Sequence, residues 1–360
     1  MIYISYHGNI FDKNIDLEND LSYISNAINN NYNVLIDIEL INDDYYLCNK
    51  KSKIELDFIN KNIDYLWFNC LDNNTHLNLI KKFNNAKILN NNNIVYLPEL
   101  NKNKYDIRNL KETSYIGICS SYIGWYKQLL EAQYYYALTI NGRLNCHQYN
   151  LFPQIINYLT ENKNEWIDIH IAINDDDDKL QSYLNNKYMD FPFIATITCK
   201  KFIVPEKYLR ANTIYFGNDL IYCYNLISNF YTLGIVREQI LTFNKSYDYN
   251  LIIKYRPDIV ANKLPPLNNF LNISLNTVFT PSDYRYGFNS FMFNDQIGIG
   301  TPDSMYKYFN IYKYLDKYVF EDKIILHPES LLQYNLMQNN IDIKLFDYNY
   351  QLNNLRKVIK

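Results

Sequence analysis

Three short stretches place side chains that can do chemistry at the ends of apolar segments. "IIKYRPDI" closes an apolar run with Arg256, Pro257 and Asp258. Asp258 offers a carboxylate to a divalent cation or to sugar hydroxyls, and Arg256 can neutralise phosphate charge directly. A structural Arg–Asp pair is the other reading of these residues. "FNDQIGIG" brings Asn294, Asp295 and Gln296 into a strand. Polar side chains there are costly to bury unless something pairs with them. Asp295 is the candidate general base or hydroxyl ligand, with Asn294 and Gln296 beside it as substrate contacts. "LTINGRLNC" puts Asn141, Gly142 and Arg143 where another strand ends. Gly142 permits close backbone approach, and Arg143 suits paired hydrogen bonds to phosphate. A plain Gly-Arg turn explains them equally well. Tyr286, with Tyr284 and Phe288 in "SDYRYGF", has a ring that can stack on a sugar. In a chain with 37 tyrosines, however, aromatic clusters carry little information.

A histidine also ends the first strand, in "ISYHGN". Asp37 and Glu39 share one face of "NVLIDIELI", so with His7 they would make a minimal metal and acid–base site. His7 as a satisfied polar residue at a strand end is the simpler reading. The acidic run at 175–178 lacks the spaced pattern of a calcium loop and reads as solvated. The six cysteines have no CxxC spacing and read as buried thiols in a reducing compartment.

The elements that must position these groups follow an α/β pattern. In "LENDLSYISNAINNNY", Leu17, Leu21, Ile24 and Ile28 carry helical spacing. Short strands follow in "NVLIDIELI", "YYLC", "YLWFNC", "IVYLPEL" and "YIGICS". A second pattern starts near Tyr134 with "YYYALTI", and "WIDIHIAI" alternates with isoleucines 167, 169, 171 and 173 on one face. "DLIYCYNLISNFYTLG" reads as a helix with Gly234 as its stop. "YNLIIKY" and "IGIG" are strands. Thr301, Pro302 and Asp303 are a helix start, and Met305, Tyr308, Phe309, Tyr312 and Leu315 give that helix an apolar stripe. A last helix follows His327, Pro328 and Glu329. The domain boundary falls near residue 130, giving segments 1–130 and 131–360.

With 48% hydrophobic and 20% charged residues, the composition is that of a soluble globular protein. The net charge is −3 and no Lys/Arg stripe stands out, which argues against nucleic acid as a partner. The bias toward Asn, Tyr, Ile and Lys fits AT-rich codons, as in some protists and giant DNA viruses. No signal-peptide pattern precedes the strand at Ile2, and no run approaches the ~20 apolar residues of a membrane span. A cytoplasmic location, the host's if the source is viral, is the expectation.

The order "ISYHGN", "LEND", "NVLIDIELI", "YYLCNK", "LWFNC", "VYLPE" and "GICSSYI" resembles the small glycerophosphodiester phosphodiesterase-like family over residues 1–127. The resemblance implies a small TIM-barrel-like domain with a degenerate site. Tyr6 stands where the family has its first histidine, His7 where it has arginine, and Leu35 where it has the metal-binding Glu. Asn49 replaces the second histidine, and Asn69 and Leu71 depart from a polar pair, while Asp37 survives. A catalytically dead domain is the expectation.

From residue 134 onward, "YYALTINGRLNC", "WIDIHIAI", "YDYNLIIKYRPDI", "FNDQIGIGTPDSM" and "HPESLLQYNL" resemble a glycosyltransferase family of the GT-A-like, Rossmann-type fold. That resemblance implies transfer of a sugar from a nucleotide-sugar donor to a glycan or protein acceptor. The pyrophosphate would sit at the carboxyl ends of parallel strands, usually with Mg²⁺ or Mn²⁺. It implies a metal role for Asp258, and for His327 as the late histidine that closes such a site in some transferases. A plain helix entry also explains His327. Asn145 stands where the family has a second arginine. One carboxylate at "YRPD", where many such enzymes have two, leaves metal dependence open. The alternatives are a non-catalytic binding or structural protein with both domains eroded, and a residual phosphodiesterase.

Overall fold

The computed structural model describes residues 1–48, 52–89, 95–96, 115–142, 151–174, 192–211, 220–243, 248–256, 259–282 and 294–352. The chain divides into two compact units, Met1–Glu131 and Ala132–Lys360.

The first unit holds β1 (Ile2–Tyr6), β2 (Asn33–Ile41), β3 (Asp44–Leu47), β4 (Ser52–Ile54), β5 (Leu66–Cys70), β6 (Lys87–Ile88), β7 (Val95–Tyr96) and β8 (Gly117–Ser120). Strands β7, β8, β1, β2, β5 and β6 pair in that order, all parallel, and β3 and β4 extend from β2 as antiparallel neighbours. Ile4, Leu35, Trp67 and Cys119 form a buried cluster among these strands. The edges of the parallel run are β6 and β7, and the described pairings do not join them. They therefore show a mixed α/β sheet, not the closed TIM-barrel-like domain expected.

The first helix, Leu21–Asn29, begins after Leu17 rather than at it. The Asp20 carboxylate accepts a hydrogen bond from the Ser22 amide at 2.9 Å and fixes the start there. Leu17 stays exposed, and Ile24 and Ala27 are the buried residues.

The second unit contains β9 (Tyr134–Gly142), β10 (Glu165–Ile173), β11 (Ile194–Cys199), β12 (Leu251–Tyr255), β13 (Ile259–Val260), β14 (Thr277–Pro281), β15 (Ile297–Gly300), β16 (Asp342–Phe346) and β17 (Gln351–Leu352). Its main sheet runs β11-β10-β9-β12-β15-β14-β16. Strands β9 to β12 are mutually parallel, β15 is antiparallel to both neighbours, and β14 and β16 are parallel. Every residue of β10 is buried, as expected of a parallel strand covered on both faces. At the outer edge, Asp342 and Lys344 of β16 are exposed.

The long helix Leu220–Phe243 packs Ile227, Phe230, Leu233, Val236 and Ile240 into this unit's core, together with Ala137, Ala172 and Ile252 from the sheet. Gly234 does not stop it. A mid-helix glycine costs about 1 kcal/mol relative to Ala, and the buried face on either side outweighs that local preference. Thr301 caps the helix Pro302–Phe309 as its sequence indicates. The apolar stripe then breaks at Asn310 and resumes in the helix Ile311–Asp316, with Tyr312 only half-buried. Among the described residues no helix is long and apolar enough to cross a membrane. Cys48, Cys70, Cys119, Cys199 and Cys223 form no disulfide among the described residues; Cys119 and Cys223 are buried and the other three half-buried. Cys146 lies outside the described residues.

On β10, Asp168 and His170 lie inside the core and are satisfied there. The Tyr249 hydroxyl donates to Asp168 at 2.8 Å and lies 3.2 Å from His170 Nε2; Trp166 Nε1 donates to the other Asp168 oxygen at 3.0 Å. Tyr249→Phe removes one hydroxyl that serves both buried groups. It is expected to lower stability by about 1–3 kcal/mol in a urea titration followed by tryptophan fluorescence.

Candidate functional site

From β9 the chain moves outward through β10 to β11, then returns through the long helix to place β12 on the other side of β9. This reversal is a topological switch point, where open α/β sheets bind ligands outside the carboxyl ends of their strands. Tyr255 of β12 is in register with Ile140 of β9. The next residues along these strands, Arg256 and Asn141, therefore stand side by side at that end.

Arg256 is held from below. Its Nη1 lies 3.6 Å from Oδ1 of Asp295, whose side chain is almost fully buried, while the arginine side chain keeps 28% of its surface exposed. Lys254, with no exposed surface, donates from Nζ to the Asp295 backbone carbonyl. The Arg256 amide donates to the Gln296 carbonyl at 3.1 Å. These contacts bind the start of β15 to the end of β12.

The remaining residues of "NDQ" are paired inside the fold. Asn294 Nδ2 donates to the Tyr350 hydroxyl at 2.7 Å, and that hydroxyl donates to Gln296 Oε1 at 2.6 Å. Asn294 Oδ1 accepts from the Gln296 amide at 2.8 Å. Tyr350 answers the burial problem that the sequence posed, and among so many tyrosines nothing had singled it out.

Asn141 also turns inward. Its Nδ2 donates to Asn229 Oδ1 at 2.5 Å and approaches Thr232 Oγ1 at 3.4 Å, both on the long helix. Its Oδ1 is buried with no hydrogen-bond partner among the described residues. Gly142 adopts φ +114°, and a Cβ there would meet nothing within 4 Å. Among the described residues nothing crowds the backbone at this strand end.

Beneath Arg256 lies a residue that sequence reasoning missed. Glu329 is buried, with Oε2 at 3.2 Å from His327 Nδ1. Burial, then the nearby Asp295 charge, pushes the Glu329 carboxyl up to about 8, against the opposing pull of Arg256 and Lys254. Burial lowers His327, with Asp295 opposing. Tyr308 is raised well above its ordinary value by burial, Asp295 and Glu329. In the sequence Glu329 looks like an ordinary acid in the first turn of a helix.

The donors for a metal were Asp258 and His327. Asp258 lies outside the described residues, as do Arg143, Tyr286, Tyr284, Phe288, Asn49 and the acidic run at 175–178. Among the described residues no three or more His, Cys, Asp or Glu side chains converge to hold a metal ion. His327 turns Nδ1 toward Glu329 Oε2 at 3.2 Å.

In the first unit His7 is buried and strained, at φ 55°. Its Nε2 lies 3.0 Å from Asp37 Oδ2 and its Nδ1 3.5 Å from Glu18 Oε2. These are ion-pair approaches rather than aligned hydrogen bonds. Both ring nitrogens face carboxylates of the same unit. Glu18, not Glu39, is the second acid. Asn69 donates to Asp37 at 2.8 Å, and Asn9 to Glu18 at 3.2 Å. Burial pushes Asp37 up, but His7 and Asn69 together outweigh it and hold the carboxyl below its usual range. The group is a clamp between strand ends and the loop before the first helix.

No family model matches the chain, and no curated protein matches it. Among solved structures it is similar to the galactosyltransferase LgtC in complex with donor and acceptor sugar analogs. The TM-score is 0.35 and the identity 11%, over 57% of this chain and 72% of that one. A likeness at that level does not establish a shared fold.

Two outcomes follow from these charges. His7→Ala strands two partly buried acids and is expected to cost roughly 3 kcal/mol at neutral pH. Asp37, held below its unfolded value of 3.8, stabilises the fold above that value and loses the contribution as pH falls through the folded one. The variant should therefore lose less than the native chain on acidification, read by denaturant titrations at neutral and acid pH. Glu329 has the opposite sign. The folded state keeps its proton up to about 8 and the unfolded state releases it near 4.5, so stability falls as pH rises through that window. Glu329→Gln should flatten this decline and exceed the native stability at the alkaline end, checked by the same titrations.

Proposed function

We propose that the second unit is a nucleotide-sugar-dependent glycosyltransferase that binds its donor's diphosphate outside the carboxyl ends of β9 and β12. The observation that carries this is a partly exposed guanidinium at the switch point, braced by buried Asp295. Arg256 would neutralise the charge that grows on the departing diphosphate, using a group already aimed and requiring little reorganisation. Gly142, with open space where a side chain would project, lets phosphate approach the backbone. Asp295 acts in this scheme by positioning Arg256 rather than as a general base, because only 3% of its surface is accessible. Asp258 and Arg143 would complete the donor site, and the acceptor is a glycan or glycoprotein. The first unit would serve without catalysis, since its histidine is committed to two acids.

A second reading, donor binding without turnover, is favoured by one observation: Asn294, Asp295 and Gln296 are all buried and committed to contacts within the fold. The test is a thermal-shift panel of UDP- and GDP-sugars, with and without Mg²⁺ or Mn²⁺. Binding to the native state raises the melting temperature. Arg256→Ala is expected to weaken donor binding about 10- to 100-fold, the range for a lost charge-assisted hydrogen bond. No shift with any donor overturns both readings, and a full shift in Arg256→Ala overturns the placement. A shift without release of nucleoside diphosphate in the presence of glycan acceptors selects the second.

A further inference from the structure

The outer face of the long helix Leu220–Phe243 borders a groove of about 480 Å³. That volume is within the range of small-molecule sites. Tyr231, Gly234 and Glu238 follow one another along one face of the helix, and Asn310, Tyr312 and Lys313 form the opposite wall. The lining is mainly apolar. Tyr231 is stacked on Phe202 with centroids 4.1 Å apart and meets the Tyr312 ring edge-on at 5.5 Å, so the aromatic wall is braced.

Gly234 is the unexplained member. The other described glycines have positive φ or a neighbour close to where a Cβ would be. Gly234 has ordinary helical geometry, and a Cβ would meet nothing within 4 Å. Neither backbone conformation nor internal packing requires glycine there. Its missing side chain instead keeps the floor of the groove flat beside two aromatic rings. Glu238 is paired with Arg237 at 2.5 Å, Lys200 Nζ lies 5.9 Å from the centre of the Tyr231 ring, and Lys313 is on the opposite wall. Flat apolar surface edged by hydrogen-bonding groups suits a neutral ligand with apolar faces and hydroxyl edges.

We propose that this groove is a carbohydrate-binding site, separate from the switch-point site, in which a neutral sugar ring lies over Gly234 against Tyr231 and Tyr312. The site does not depend on the transferase reading.

The test uses the full chain with maltotriose, cellotriose and chitotriose as probes, followed by saturation-transfer NMR and calorimetric titration. At least one trisaccharide should bind. Gly234→Leu projects into open space and favours the helix, so it should keep or raise the melting temperature while weakening binding at least about tenfold. Tyr231→Ala should weaken binding as well, and Arg256→Ala should leave it unchanged. The proposal is overturned if no trisaccharide binds, even where a peptide does. It is equally overturned if binding survives Gly234→Leu and Tyr231→Ala together, or if Arg256→Ala abolishes it. Donor binding in the Gly234→Leu chain reports on the switch point alone, so failure of one site is distinguishable from failure of the other.

Discussion

An ammonium group with no exposed surface needs a partner, and in β12 that requirement falls on Lys254. Its Nζ finds the backbone carbonyl of Asp295, which draws the residues before β15 across the end of β12. The Arg256 amide bonds to Gln296 in the same place, so the strand is tied by backbone as well as side chain. Asp295 is then fixed next to the Arg256 guanidinium, and burial, with the Asp295 charge adding to it, pushes the Glu329 carboxyl up to about 8. The direction in which Arg256 emerges follows from a buried lysine one residue inside the strand. Each group limits the others, which is how partly buried ionic clusters hold one geometry.

The first unit shows the same need for partners met at a different place. His7 occupies a left-handed backbone conformation that is uncommon for residues other than glycine. Carboxylates on both sides, and the Tyr6 ring stacked at 3.8 Å, hold it there. In both units a polar cluster stands at the carboxyl ends of parallel strands. In one it leaves a cationic group partly exposed, and in the other it consumes its own functional groups.

Much of the framework was legible from local pattern. The alternation in "WIDIHIAI", the apolar run before Arg256 and the Thr-Pro-Asp cap each depend on residues adjacent in sequence, and each formed the strand or helix its pattern implies, although the first is buried on both faces rather than one. What local pattern missed depends on distant packing. Gly234 looked like a stop because glycine often ends helices, but burial of Val236 and Ile240 beyond it favours continuation. Arg256 and Asp295 were readable as chemistry, whereas their arrangement was not. Glu329, Tyr350 and Glu18 lacked any signal of their own, since each matters only through a partner brought to it by the fold. Asn294 and Gln296 were rightly seen as needing partners, and Tyr350 supplies them.

The sheet of the second unit ends at β16, which among the described residues pairs with β14 alone. An edge strand offers unpaired amides and carbonyls to any other strand that approaches, and is a common starting point for aggregation. Here Asp342 and Lys344 stand exposed on alternate positions of that edge. Charged side chains on an edge strand discourage pairing with another strand, because their water would have to be stripped. The edge can therefore remain in solvent without becoming a template for intermolecular sheet growth.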